Sequence, residues 1–254
     1  MLPKPAKIRL DKLLVERGLA VSRERAQALV LAGKVLVNEQ KVEKAGAAVE
    51  PAAELRILGE DLKYVSRGGL KLEKALQHWG IDVRGRVCLD VGASTGGFTD
   101  CLLQHGAARV IAIDTGYGQI AQGLRQDPRV RLLERTNARY LKPEDLAEPV
   151  GFAAVDVSFI SATLVLPAVV GAACGGAHHA LELVVLVKPQ FEAGREAVGK
   201  GGIVRDSQAQ LAAVERVRRA VRDLGASRTE AIDSPIHGAE GNREFLLHAV
   251  FEDL

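Results

Sequence analysis

Aromatic side chains are scarce in this 254-residue chain: six Phe, three Tyr and one Trp. A core must therefore come from Val, Leu and Ala, which suits α/β layers around a buried sheet. Cysteine is scarcer still. Cys88, Cys101 and Cys174 show no CxxC spacing and leave one over, so neither a disulfide framework nor a zinc site is indicated, and a reducing cytoplasm fits. Long apolar runs are missing too. The most apolar stretch, ATLVLPAVVGAACGGA at 162–177, is short of a bilayer span and is broken by Pro167 and several Gly, so no membrane insertion is expected. The opening MLPKPAKIRLDKLL has no long apolar core and no small-residue cleavage pattern, and no secretory signal is expected there.

Excess charge is also small, a net +2, but it is uneven. Residues 1–86 hold 17 Lys/Arg against 11 Asp/Glu, a surplus of +6, which leaves −4 for residues 87–254. The basic front end invites a polyanion; a solvated mixed-charge surface is the plainer alternative.

What the sequence does have is two kinds of periodicity. In RLDKLLVERG, Leu10, Leu13 and Leu14 have helical spacing and Gly18 is a natural stop. Ser22 is a good cap for a second helix, with Ala26, Leu29 and Val30 on one face and Gly33 at its end. KVLVNEQKV reads as a strand pair around an Asn-Glu-Gln turn, and AAVEPAAELRIL as one further short strand with a break at Pro51. The run RLDKLL...SRERAQALVLAGKVLVN resembles the alpha-L RNA-binding motif. That resemblance implies a small α+β RNA-binding domain over 1–60, with Arg9, Lys12, Arg23, Arg25, Lys34 and Lys41 as phosphate contacts.

From residue 86 onward the period changes. RVCLDVG, RVIAIDTG, RVRLLERTN, FAAVDVSF and LELVVLVKP are strand candidates separated by helix-compatible segments, the pattern of βαβ units on a parallel sheet. TEAIDSPI and EFLLHAVF have no helix between them, which predicts a terminal antiparallel hairpin. The expected domains are thus 1–60, a linker with an amphipathic connecting helix over 61–85, and 86–254.

LDVGASTGGF follows a strand and opens a helix, so its glycines let a ligand approach the backbone and the helix N–H groups. Asp114 ends the next strand, where a carboxylate can accept both hydroxyls of a ribose. The dinucleotide pattern GxGxxG is not met. D-x-G-x-x-x-G-G-F is instead similar to the first motif of FtsJ-like S-adenosylmethionine-dependent methyltransferases. This implies a Rossmann-like seven-stranded sheet, mostly parallel, with cofactor contacts at Asp90, Gly92, Ala93, Ser94, Gly96, Gly97, Phe98, Asp114, Asn137 and Asp156.

Lys71, Asp156, Lys188 and Glu244 each have an ordinary explanation as surface or strand-end charges. In the order Lys-Asp-Lys-Glu they resemble the tetrad of ribose 2′-O-methyltransferases. With YVSRGGLKL, DVSFIS, VKPQFEAG and GGIVRD, nearly the whole chain resembles the TlyA-type, or hemolysin A-like, family. The resemblance implies methylation of ribosomal RNA, at a cytidine ribose, with ribosomal RNA or ribosomal subunits as partner and Lys188 assisting deprotonation of the hydroxyl. A non-catalytic ribosome-binding factor that keeps the cofactor fold, and a membrane-active hemolysin, are the competing readings.

VKPQFEAGREAVGKGG, 187–202, comes close to a phosphate loop at Gly194-x4-Gly199-Lys200, but Gly201 stands where Ser or Thr should be. With the strand ending at Lys188 and the next helix expected near Asp206, the glycines suit a flap from which Arg195, Lys200 and Arg205 face RNA. Arg67, in the linker, joins that set of expected RNA contacts.

Overall fold

The computed structural model describes residues 7–20, 22–58, 63–175, 180–238 and 241–252, with the Arg195 side chain also outside the description. The chain divides into two units, Met1–Leu62 and Lys63–Leu254. The boundary expected at residue 60 lies outside the described residues.

The first unit begins with a two-residue strand, β1 (Ile8–Arg9), followed at once by helix α1 (Leu10–Glu16). Leu10, Leu13 and Leu14 are buried together, as their spacing requires, and Gly18 at φ 68 turns the chain away. The Ser22 hydroxyl accepts the Arg25 N–H at 3.2 Å and starts α2 (Arg23–Leu31), whose Ala26, Leu29 and Val30 complete the same core. A hairpin of β2 (Val35–Val37) and β3 (Gln40–Lys41) follows. Its turn is two residues, Asn38 (φ 49) and Glu39 (φ 61), because paired positive φ matches the twist of the strands; Gln40, expected in the turn, already pairs with Val37. The break at Pro51 separates two strands where one was expected. β4 (Ala48–Val49) pairs with β1, and β5 (Leu55–Ile57) pairs with β2. Asp11 lies at the centre of the polar side of this unit. It is fully buried and accepts from Arg9 Nη2 at 2.8 Å, Arg23 Nη2 at 3.1 Å and Gln27 Nε2 at 3.0 Å. The Arg9 guanidinium, more than any other group, holds that carboxyl far below the usual carboxylate range.

The second unit opens with α3 (Gly68–Trp79), the helix expected in the linker; its Leu72, Ala75 and Leu76 are buried with Phe98, Cys101 and Leu102 of α4 (Gly97–Gln104). Seven strands follow, β6 (Val87–Val91), β7 (Arg109–Ile113), β8 (Val130–Leu133), β9 (Phe152–Val155), β10 (Leu181–Val187), β11 (Arg228–Asp233) and β12 (Phe245–Phe251), with helices α5 (Gln122–Gln126), α6 (Pro143–Leu146), α7 (Leu166–Cys174), α8 (Pro189–Glu192) and α9 (Ser207–Asp223) between them. They form one sheet in the order β11-β12-β10-β9-β6-β7-β8. Among the described strands of this sheet β12 alone runs opposite to the rest: it pairs antiparallel with β10 on one side and β11 on the other, while β10-β9-β6-β7-β8 are parallel. The expected terminal hairpin is therefore present.

Side chains alternate across this sheet. Leu89, Val91, Ile111, Val155 and Val185 pack on one face with α7 (Leu166–Cys174) and α9 (Ser207–Asp223). Cys88, Val110, Phe152 and Val184 pack on the other with α3 and α4. The central strands are buried on both faces, which is why they read as unbroken aliphatic runs. Asp206 caps α9, accepting the Gln208 N–H at 2.9 Å, where the sequence placed its start. No helix among the described residues is long and apolar enough to cross a membrane.

Candidate active site

The parallel strands end along one edge of the sheet, and the site is built there. β6 ends at Val91 and the chain turns at Gly92, φ 90, where a Cβ would lie 2.3 Å from the Asp156 carbonyl oxygen. Only glycine lets the ends of β6 and β9 come this close. Gly96 (φ 96) caps α4, and a Cβ on Gly97 would meet the Ser66 hydroxyl at 2.3 Å. Beyond β7, the Asp114 carboxylate accepts the Ser94 N–H at 2.7 Å and the Gly116 N–H at 2.6 Å, tying the two strand-end turns together.

Between these turns lies a cavity of about 400 Å³ lined by Gly92, Ser94, Asp114, Asn137, Asp156 and Phe159. Asn137 Oδ1 accepts the Arg139 N–H at 3.1 Å and so caps the short 3-10 turn Ala138–Tyr140. An adjoining cavity of about 270 Å³ shares Gly92, Ser94 and Asp156 and adds Arg67, Lys71, Ala93, Gly97 and Phe98. Eight of the ten expected cofactor residues line one or both cavities. Gly96 and Asp90 line neither. Asp90 is fully buried under the glycine turn, where Thr99 Oγ1 donates to Oδ2 at 2.6 Å and Oδ1 has no hydrogen-bond partner. Burial pushes its carboxyl up to about 7, with Asp156 and Asp114 adding to the rise and Thr99 opposing it.

The four expected catalytic residues form two ion pairs. Lys188 Nζ is 2.6 Å from Asp156 Oδ1 and donates to Ser158 Oγ at 2.7 Å. Lys71 Nζ donates to Glu244 Oε2 at 2.5 Å. Lys71 and Asp156 face the same cavity, and Lys188 and Glu244 are buried at 9% and 3% exposure, held to their partners. Each acid thus orients one ammonium. Glu244 reaches this edge because β12 runs antiparallel: Phe245, the first residue of β12, pairs with Val187, the last of β10.

The expected RNA contacts divide. Arg9 and Arg23 keep half-exposed guanidiniums but are oriented by Asp11; Lys41 is paired with Glu43 at 3.1 Å; Lys12 is exposed, and Lys34 and Arg25 are partly so. In the second unit Arg67 stands at the N-terminus of α3 on the rim of the smaller cavity, and Lys200 and Arg205 are exposed. The backbone at Arg195 belongs to a 3-10 turn, Arg195–Ala197. The stretch around Gly199 does not form a phosphate loop: the Gly199 N–H bonds back to the Ile203 carbonyl at 3.0 Å, and the helix starts only at Ser207.

Sequence reasoning passed over Phe159. It is 92% exposed, holds φ 66, lines the larger cavity and tilts against Phe191 with ring centroids 5.5 Å apart. An aromatic ring just after a strand-end Asp, in a chain with so few, was the available signal. Tyr117 was also passed over; it is 66% exposed and carries the Arg135 guanidinium 4.4 Å above its ring.

A glycine turn and a strand-end carboxylate at the edge of this sheet, with paired lysines beside them, fit the class of enzymes that hold a nucleoside cofactor for methyl transfer. Residues 64–251 match the FtsJ-like methyltransferase family and residues 8–55 match the S4 domain. The 16S/23S rRNA (cytidine-2′-O)-methyltransferase TlyA of Mycobacterium tuberculosis is 48% identical over 94% of this chain and 88% of its own length. Hemolysin A of Brachyspira hyodysenteriae is 41% identical over 96% of this chain and 100% of its own. A solved hemolysin-like structure from Streptococcus thermophilus superposes with a TM-score of 0.74 at 45% identity, covering 97% of this chain and 89% of that one. The chain belongs to the TlyA-type family of FtsJ-like methyltransferases that carry an S4 domain. Its cofactor is S-adenosylmethionine, and the site fits that molecule: the missing Cβ at Gly92 leaves room at the turn, Asp114 stands ready for a diol, and the cavity volume falls in the range of ligand sites.

Proposed function

We propose that the protein transfers a methyl group from S-adenosylmethionine to the 2′-hydroxyl of a cytidine ribose in ribosomal RNA, in the cytoplasm. The observation that carries this reading is the meeting of two lysine–carboxylate pairs with the glycine turn at one cavity edge. TlyA of M. tuberculosis, whose name states this reaction, supports the choice of substrate.

The cofactor supplies an electrophilic methyl group. Asp114 binds its ribose, Asn137 and the 137–138 turn border its adenine, and Gly92 to Phe98 border the remainder. The Lys188 ammonium donates one hydrogen bond, to Ser158, and is ion-paired with Asp156, which leaves N–H groups for the ribose oxygen. Placed there, it assists deprotonation by stabilising negative charge on the oxygen as the hydroxyl passes its proton to solvent water and takes the methyl group in its place. Lys71, fixed by Glu244, aligns the hydroxyl from the other side, and alignment supplies much of the rate. Phe159 presents a ring face on which the target base stacks. Arg67, Arg195 and Lys200 contact the RNA backbone near the site, and the S4 unit contributes Arg9, Lys12, Arg23, Arg25, Lys34 and Lys41 to phosphates.

The test is transfer of labelled methyl from S-adenosylmethionine to ribosomal subunits, with mapping of the modified nucleotide. Label on a cytidine 2′-oxygen is expected. Label on a base, or cofactor binding without transfer to either subunit, would overturn the reading.

A further inference from the structure

Four residues after Lys188 a second buried acid faces the same loop. Glu192, 3% exposed, closes the short helix α8 (Pro189–Glu192). Its Oε2 accepts the Ser161 hydroxyl at 2.5 Å and its Oε1 accepts the Ala162 N–H at 2.6 Å. Ser161 Oγ also accepts the Thr163 N–H at 3.2 Å and lies 2.7 Å from Thr163 Oγ1, which can donate to it while Ser161 gives its own proton to the carboxylate. Burial raises the Glu192 carboxyl, so the site stabilises the charged form only through these donors, with Arg216 assisting.

The segment 156–162 is therefore tied twice to the segment 188–192. Lys188 holds Asp156 and Ser158 at one end; Glu192 holds Ser161 and Ala162 at the other. Between the ties lies Phe159, a non-glycine residue at φ 66 with its ring almost wholly in solvent. Left-handed backbone under a bulky side chain persists only where the surroundings fix it. Burial cannot fix an exposed ring; the two ties hold its backbone, and the contact of the ring with Phe191 of α8 adds to them.

From this, and resting on the methyl-transfer reading above, we infer that Glu192 is a positioning residue of the reaction: by clamping Ser161 and Ala162 it holds the loop that carries Ser158 and Phe159 in the conformation that seats the RNA ribose against Lys188. Glu192 touches no substrate and acts through the loop.

The test uses the full chain and three variants, Glu192→Ala, Glu192→Gln and Ser161→Ala. Glu192→Gln keeps an oxygen for the Ala162 N–H and an amide that Ser161 can accept. With ribosomal subunits and cofactor saturating, Glu192→Ala is expected to lose about tenfold to a hundredfold in kcat, Ser161→Ala less, and Glu192→Gln within about threefold of the parent, since a misplacement near 1 Å has effects of that size. Amide hydrogen exchange at 157–162 should rise in Glu192→Ala and stay low in Glu192→Gln, with β9 amides unchanged. A glutamine variant as slow as the alanine one, or unchanged exchange at 157–162 in the alanine variant, overturns the inference; should the alanine variant fail to fold, Ser161→Ala at parental rate and protection does so. Methyl transfer by the unaltered protein, measured alongside, tests the functional reading separately, because the exchange experiment needs no substrate.

Discussion

Asp90→Asn offers a sharp test of the electrostatics beneath the cofactor turn. The Asp90 carboxyl sits at about 7 in the fold and returns to its ordinary value of 3.8 when the chain unfolds. Below pH 3.8 both states hold the proton and there is no cost. Above it the unfolded chain has released a proton that the folded chain keeps, so stability falls as pH rises, until the folded group also ionises near 7. At about 1.4 kcal/mol per pH unit the whole gap corresponds to roughly 4 kcal/mol. Between pH 5 and 8.5 the part within experimental reach is roughly 3 kcal/mol. Asparagine keeps an oxygen for the Thr99 hydroxyl and cannot ionise. Its stability relative to the parent should therefore climb by about that amount over the same range. Urea unfolding followed by the fluorescence of Trp79, the single tryptophan, reads the second unit directly. A difference between the two proteins that stays flat from pH 5 to 8.5 would refute the reasoning.

Lys188→Ala should abolish methyl transfer while changing S-adenosylmethionine affinity by less than about threefold in calorimetry, since Lys188 lies behind Asp156 and not on the glycine turn. Asp156 and Asp114 both line the cofactor cavity and both raise Asp90, so a cationic cofactor between them should expel the Asp90 proton. Heats of binding at pH 7 should accordingly depend on the ionisation enthalpy of the buffer, and at pH 8.5 they should not. Asp11→Ala should destabilise the S4 unit by about 2 kcal/mol, because it removes the buried acceptor of three side-chain hydrogen bonds while the half-exposed guanidiniums turn to water; urea unfolding of the full chain, followed by far-ultraviolet circular dichroism, should show an early transition from this unit.

The sequence carried the second unit well, for physical reasons that apply to each strand. β6, β7, β9 and β10 are buried on both faces, so each is a short aliphatic run that stands out from its surroundings. The glycine turn was legible because only glycine tolerates the approach of Asp156 at Gly92. Less could be read in the first unit. β1 and β4 are two residues each, and they exist only because they pair with each other across forty positions. Asp11 looks like an ordinary helix-surface charge, and nothing local marks it as a buried acceptor for three side chains. The same limit hid Glu192 and Phe159. One depends on a contact thirty residues away and the other on a backbone angle that its residue type disfavours, and neither leaves a periodic trace.

The position of β12 in the sheet also bears on how the molecule assembles. β11 precedes β12 in the chain, yet among the described strands β11 has only β12 as a neighbour. It reaches the sheet only through the following strand, which lies between it and β10. That placement of β12 brings Glu244 to Lys71. Cofactor turn and Lys188 stand on the five parallel strands, whereas the lysine–glutamate half of the site depends on β12, so the two halves of one catalytic centre rest on separately placed parts of the sheet.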